Sequence, residues 1–155
     1  MMRKLIILTA AMSALSAPMA ASAMEHGPGA GKHDHAAGNI AHEEVTEGVK
    51  ATFKVMSMKE HLRSSGTKMP KGMKETHHIA VEFKDVKSGK PLTQGEVKVK
   101  LQGPDKAEQT RDMAGMQGHF GADFDLSKKG KYGIMSKFKL NDGKVRQVKF
   151  WYTAS

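Results

Sequence analysis

Histidine and methionine fall in this chain in short groups with the spacing of metal ligands. Met56 and Met58 are followed by His61, Met69 and Met73 by His77 and His78, and Met113 and Met116 by His119. Neutral thioether and imidazole suit copper, Cu(I) above all, whereas zinc, calcium and magnesium sites draw little on thioether sulfur. Methionine is also an ordinary filler of irregular cores, and Met135 reads that way. Met69, Met73 and Met116 have a different context, because their neighbours are Lys, Gly, Gln and Pro rather than branched apolar side chains. Met113, Met116 and His119 surround Gly115 and Gly118 at an expected hairpin tip, where three ligands could converge on one ion.

The amino-terminal region adds nitrogen ligands. Arg3 and Lys4, the apolar run Leu5 to Leu15 and the small residues Ala21-Ser22-Ala23 have the three parts of a secretory signal, so residues 1–23 read as a leader and the exported chain as beginning at Met24. The apolar run is shorter than the roughly 20 residues a bilayer span needs, and no later segment reads as a span. Residues 24–46, with Gly27, Gly29, Gly31, Gly38 and Pro28, carry no apolar period and read as a flexible, histidine-rich arm. His26, His33, His35 and His42 lie there among Glu25, Asp34, Glu43 and Glu44. Cleavage after Ala23 would create the terminus Met24-Glu25-His26. Its amine, two amides and His26 imidazole could close around a square-planar Cu(II) or Ni(II) ion.

From residue 47 onward the pattern is that of strands. Val49, Ala51, Phe53 and Val55 alternate with Lys50, Thr52 and Lys54, the period of a half-buried strand. The same alternation recurs at Ile79–Phe83 and Val97–Leu101, and further strands are expected near Ala107–Met113, His119–Leu126, Tyr132–Leu140 and Val145–Tyr152. Lys87 to Pro91 reads as a turn, Asn141-Asp142-Gly143 as a hairpin, and Lys59 to Ser64 as one short helix. About seven such strands predict an all-β, antiparallel immunoglobulin-like sandwich over 47–155, with an up-and-down barrel as the alternative. By parity, Met56 and Met58 point away from the face that Val49 to Val55 bury, and only one of the adjacent His77 and His78 can serve a given site.

Composition narrows the function classes. The chain has no cysteine, which removes disulfides, thiolate nucleophiles and zinc fingers. Loss of Arg3 and Lys4 leaves an exported chain of about +7, whose lysines mostly alternate with apolar residues as on a solvated sheet face. Export argues against nucleic acid as the partner of that charge. No nucleophile elbow, H-E-x-x-H helix, phosphate loop or cofactor fingerprint occurs, so a non-enzymatic protein is expected. Asp123 and Asp125, on one strand face beside His119, read as solvated edge residues.

The region from His78 to Tyr152 resembles the YtkA-like domains of bacterial exported proteins. The resemblance rests on Gly89-Lys90-Pro91-Leu92, the run Met113-Ala114-Gly115-Met116-Gln117-Gly118-His119-Phe120, and Gly130-Lys131-Tyr132. It implies an immunoglobulin-like sandwich linked to copper handling or to assembly of copper-containing oxidases. Together these readings give a soluble periplasmic protein that buffers, sequesters or delivers copper, Cu(I) at the Met/His groups and Cu(II) at the arm. A periplasmic or membrane metal-transport or oxidase-assembly protein is the expected receiver. Two rivals stand beside it: an interaction module of a metal-export or envelope complex, and an accessory to periplasmic iron uptake.

Overall fold

The computed structural model describes residues 39–155. The expected leader over 1–23 and the arm residues His26, His33 and His35 lie outside the described residues. The chain runs β1 (Asn39–Thr46), β2 (Val49–Ser57), α1 (Met58–Ser64), β3 (His77–Asp85), β4 (Gly95–Gln102), β5 (Glu108–Met116), β6 (His119–Phe124), β7 (Gly130–Leu140) and β8 (Val145–Ala154). All neighbouring strands are antiparallel, in the order β1-β2-β3-β6-β5-β4-β7-β8. The expected antiparallel sandwich is present, with eight strands rather than about seven and the one short helix where the sequence placed it.

The added strand is β1. By sequence, residues 39–46 read as the end of the flexible arm, because Ile40, His42 and Glu44 offer little apolar contrast to Ala41, Glu43 and Val45. They become a strand by pairing with β2, through a two-residue turn in which Glu47 and Gly48 hold φ of 44° and 77°. Left-handed residues at both turn positions give the twist that tight hairpins need. His42 therefore belongs to the sandwich. Its ring stacks on Phe150 of β8 at 4.7 Å, and its Nε2 bonds Glu44 at 2.9 Å.

Strand β5 joins the two layers. Residues 108–113 pair with β4, and residues 114–116 pair with β6. Between the layers lies one apolar core in which Phe53, Phe83, Phe124, Phe138, Ile79, Leu101 and Ile134 are almost wholly buried. The alternation that sequence reading used is the alternation of burial: Val49, Ala51, Phe53 and Val55 face this core, and Lys50, Thr52 and Lys54 do not. In the β7–β8 hairpin only Gly143 takes positive φ, at 75°, and its amide donates to the Leu140 carbonyl at 3.0 Å. Among the described residues, no helix is long and apolar enough to cross a membrane.

Candidate metal centre

A second, smaller buried region lies outside the main core, under α1. Ser57 ends β2 and caps the helix. Its Oγ accepts from the Glu60 amide at 3.2 Å, and the Glu60 carboxylate accepts from the Ser57 amide at 3.3 Å. Seven residues are too few for a helix to persist alone in water, so packing holds it. Met58 is 1 % exposed, and its amide donates to the Thr76 carbonyl at 2.8 Å. Thr76 in turn donates its amide to Phe124 O at 3.0 Å, and its hydroxyl accepts from the Leu126 amide at 2.8 Å. These bonds lay the helix over the outer face of β2 and β3.

On that face the register sets Met56, His78 and Asp123 in one row across β2, β3 and β6. His78 is 2 % exposed. Its Nδ1 lies 2.7 Å from Asp123 Oδ1. Its Nε2 is buried and has no hydrogen-bond partner among the described residues. The Nε2–Cε1 edge rests against Gly121, so closely that a Cβ there would stand 2.6 Å from Nε2. The His61 ring, carried by α1, stacks on His78 with centroids 3.7 Å apart and planes 4° from parallel. Ligand atoms of His61, His78 and Asp123 all fall within 4.8 Å of one another.

The chemistry of His78 follows from these partners. An ionised carboxylate only accepts, so Asp123 places the imidazole proton on Nδ1 and leaves the lone pair on Nε2. That is the carboxylate–histidine arrangement by which proteins orient a metal-binding imidazole. A buried polar atom without a partner costs about 1–3 kcal/mol, and a metal ion would satisfy this one. The residues thus fit an ion bound by nitrogen, with Asp123 behind the ligand. Two parallel stacked rings hold their lone pairs in separate planes, so His61 must turn before both rings meet one ion.

The remaining expected ligands are distributed unevenly. Met56, on the outward side of β2 as parity required, is nevertheless 4 % exposed because α1 covers it. Of the adjacent histidines, His78 enters the cluster. His77 faces the other side of β3 and bonds Thr76 Oγ1 through Nδ1 at 2.8 Å, and burial pushes its pKa down against the pull of the Asp125 and Glu60 carboxylates. Met69, 54 % exposed, and the half-buried Met73 sit on the loop between α1 and β3, outside the histidine cluster.

Of Met113, Met116 and His119, expected at one hairpin tip, parity divides the two methionines. Met113 packs into the main core, whereas Met116 lies on the opposite side of β5, directly across from the buried His119. Gln117 and Gly118 form the two-residue turn between them, with φ of 41° and 88°. His119, Gly121 and Asp123 alternate onto the outer face of β6, so His119 stands on the same face as the His78–Asp123 pair, about 7 Å along the strand from Gly121. Asp123, expected to be solvated, keeps 40 % of its side chain exposed, while its Oδ1 meets His78, a contact that its place in the sequence does not signal. Only the β3–β6 register, which sets it opposite His78, brings it in.

No protein-family model matches the sequence, and no curated protein matches it. Solved structures share the fold. One is FetP of uropathogenic Escherichia coli strain F11, recombinantly expressed in the periplasm, with a TM-score of 0.57 and 12 % identity over 74 % of this chain and 93 % of FetP. A copper-bound variant of that FetP, carrying one substitution, gives 0.58 and 11 % over 75 % and 90 %. A DUF4426 family protein from Pseudomonas aeruginosa PAO1 gives 0.56 and 14 % over 73 % and 96 %. At these identities the likeness is one of fold.

Proposed function

We propose that this protein binds copper in the periplasm, and that it holds the ion rather than turning over a substrate. The observation that carries the reading is His78, a buried imidazole with Nδ1 on Asp123, Nε2 without a hydrogen-bond partner among the described residues, and a second imidazole stacked on it. Imidazole alone would serve zinc or nickel as well. Copper is favoured by the company of Met56, next to His78 in the register, and Met116, on the face that carries His119. The fold shared with a copper-bound FetP variant supports the ion, and the fold shared with FetP expressed in the periplasm supports the compartment. A YtkA-like affiliation belongs to this reading, as does delivery of the ion to a transport or oxidase-assembly protein.

In this reading Asp123 keeps the His78 lone pair on Nε2, Gly121 leaves the space in which the ring is set, and α1 carries His61 in as the second ligand. The helix, with Met58 as its buried residue, lies outside the main core, so in this reading a turn of His61 leaves that core undisturbed. The test is competition titration with a Cu(I) chelator. His78→Ala should abolish tight binding, and Asp123→Asn should weaken it about 10- to 100-fold, the range for loss of a partner behind a ligand. Replacing Met69 and Met73 should leave affinity unchanged. Full Cu(I) affinity in His78→Ala would remove the reading.

A further inference from the structure

The opposite outer face of the sandwich, on β4, β7 and β8, carries a different chemistry. Register sets Lys98, Lys137 and Gln147 in one row, Lys100, Met135 and Lys149 in the next, and Gln102, Gly133 and Trp151 in a third. Lys131 and Lys139 extend it. Lys98 and Lys100 are paired with Asp112 at 3.5 Å and Glu108 at 3.1 Å; Lys131, Lys137, Lys139 and Lys149 have no ion pair among the described residues. Like charges directly opposed across strands lower stability, yet Lys98 and Lys137 are opposed. Trp151 is 66 % exposed. Its ring lies over Gly133, where a Cβ would stand 3.1 Å from Cζ3, and Lys131 Nζ is 5.5 Å from its centroid.

We propose that this face docks on an anionic lipid surface. Lysines on one face of a sheet reach phosphate headgroups together with their neighbours, and an exposed indole among them sits at the boundary between headgroup and acyl chain. A protein partner fits less well. Interfaces between proteins are enriched in arginine and depleted in lysine, and the outward positions of β4, β7 and β8 hold no arginine. The metal centre lies on the other layer, so a docked molecule keeps α1 and His61 turned away from the lipid.

Trp151 is the single tryptophan of the chain and reports its own environment. The experiment is fluorescence and co-sedimentation of the metal-free chain from Met24 onward with vesicles of phosphatidylcholine, with and without phosphatidylglycerol, at low and high salt. Binding and a blue shift are expected only with phosphatidylglycerol, weakening as salt rises. At roughly fivefold per lysine, K137Q/K139Q/K149Q should lower the partition coefficient about a hundredfold, while K68Q/K71Q/K74Q, with the same change in net charge, should lower it far less. No binding to phosphatidylglycerol vesicles, or equal loss in the two triple variants, overturns the proposal. Equal affinity for soluble polyglutamate would overturn it in favour of an acidic protein. None of these outcomes depends on copper.

Discussion

Gly121→Ala tests the arrangement around His78 with one methyl group. The new Cβ would stand 2.6 Å from Nε2 and 2.7 Å from Cε1. Ordinary contact needs about 3.5 Å, so the ring must shift by ~1 Å. It has little room, since His61 stacks on it at 3.7 Å and the bond to Asp123 fixes Nδ1 at 2.7 Å. Gly121 does not use positive φ, so alanine itself fits the backbone. Overpacking of this kind costs about 1–3 kcal/mol, against which the lost freedom of the unfolded glycine returns about 0.4–1 kcal/mol. We expect a net loss of up to about 2.5 kcal/mol by thermal or denaturant unfolding, and an about 10- to 100-fold loss of copper affinity as the ligand is misaimed. Gly115→Ala is the control, because its Cβ would meet only Phe120, at 3.7 Å. Unchanged copper affinity in a folded Gly121→Ala protein would refute the reasoning.

Other outcomes follow from single features. Ser136 is fully buried between Val99 and Val148 in the register, and its hydroxyl has no partner among the described residues; Ser136→Ala should raise stability by about 1 kcal/mol, and a fall in melting temperature would contradict this. Phe53 is wholly buried and packs on Phe150 at 4.9 Å; Phe53→Ala should cost about 3–5 kcal/mol by chemical denaturation. The Arg146 guanidinium holds the Asp142 carboxyl down from 3.8 to about 2. A carboxyl depressed in the folded state stabilises above its unfolded value, so this contribution is present above pH 3.8 and lost as pH falls toward 2. Asp142→Asn should flatten the melting temperature over that window, and an unchanged acid limb would count against the pair.

The strands were legible because one face of each is buried between the layers, and burial of every second residue writes a period of two. β1 was not, since its place depends on the β2 backbone beside it rather than on apolar contrast of its own. The ligand groups were legible as residue types and only partly as a site. Met56, His61, His78 and His119 reach one outer face, but Met113 goes to the core and Met69 to solvent, because spacing along the chain does not record which side of a strand a residue takes. Asp123 and Gly121 carried no local signal. They acquire meaning from the β3–β6 register, which sets one opposite His78 and the other beneath its ring.

The most direct measurement is the 15N spectrum of the histidine side chains, before and after one equivalent of Cu(I), which is diamagnetic. Without copper, His78 should show a protonated Nδ1 and a bare Nε2. On addition, Nε2 of His78 and one nitrogen of His61 should shift together, with Nδ1 of His78 still protonated on Asp123. Shifts confined to His26, His33 and His35, with His78 unmoved, would contradict the account.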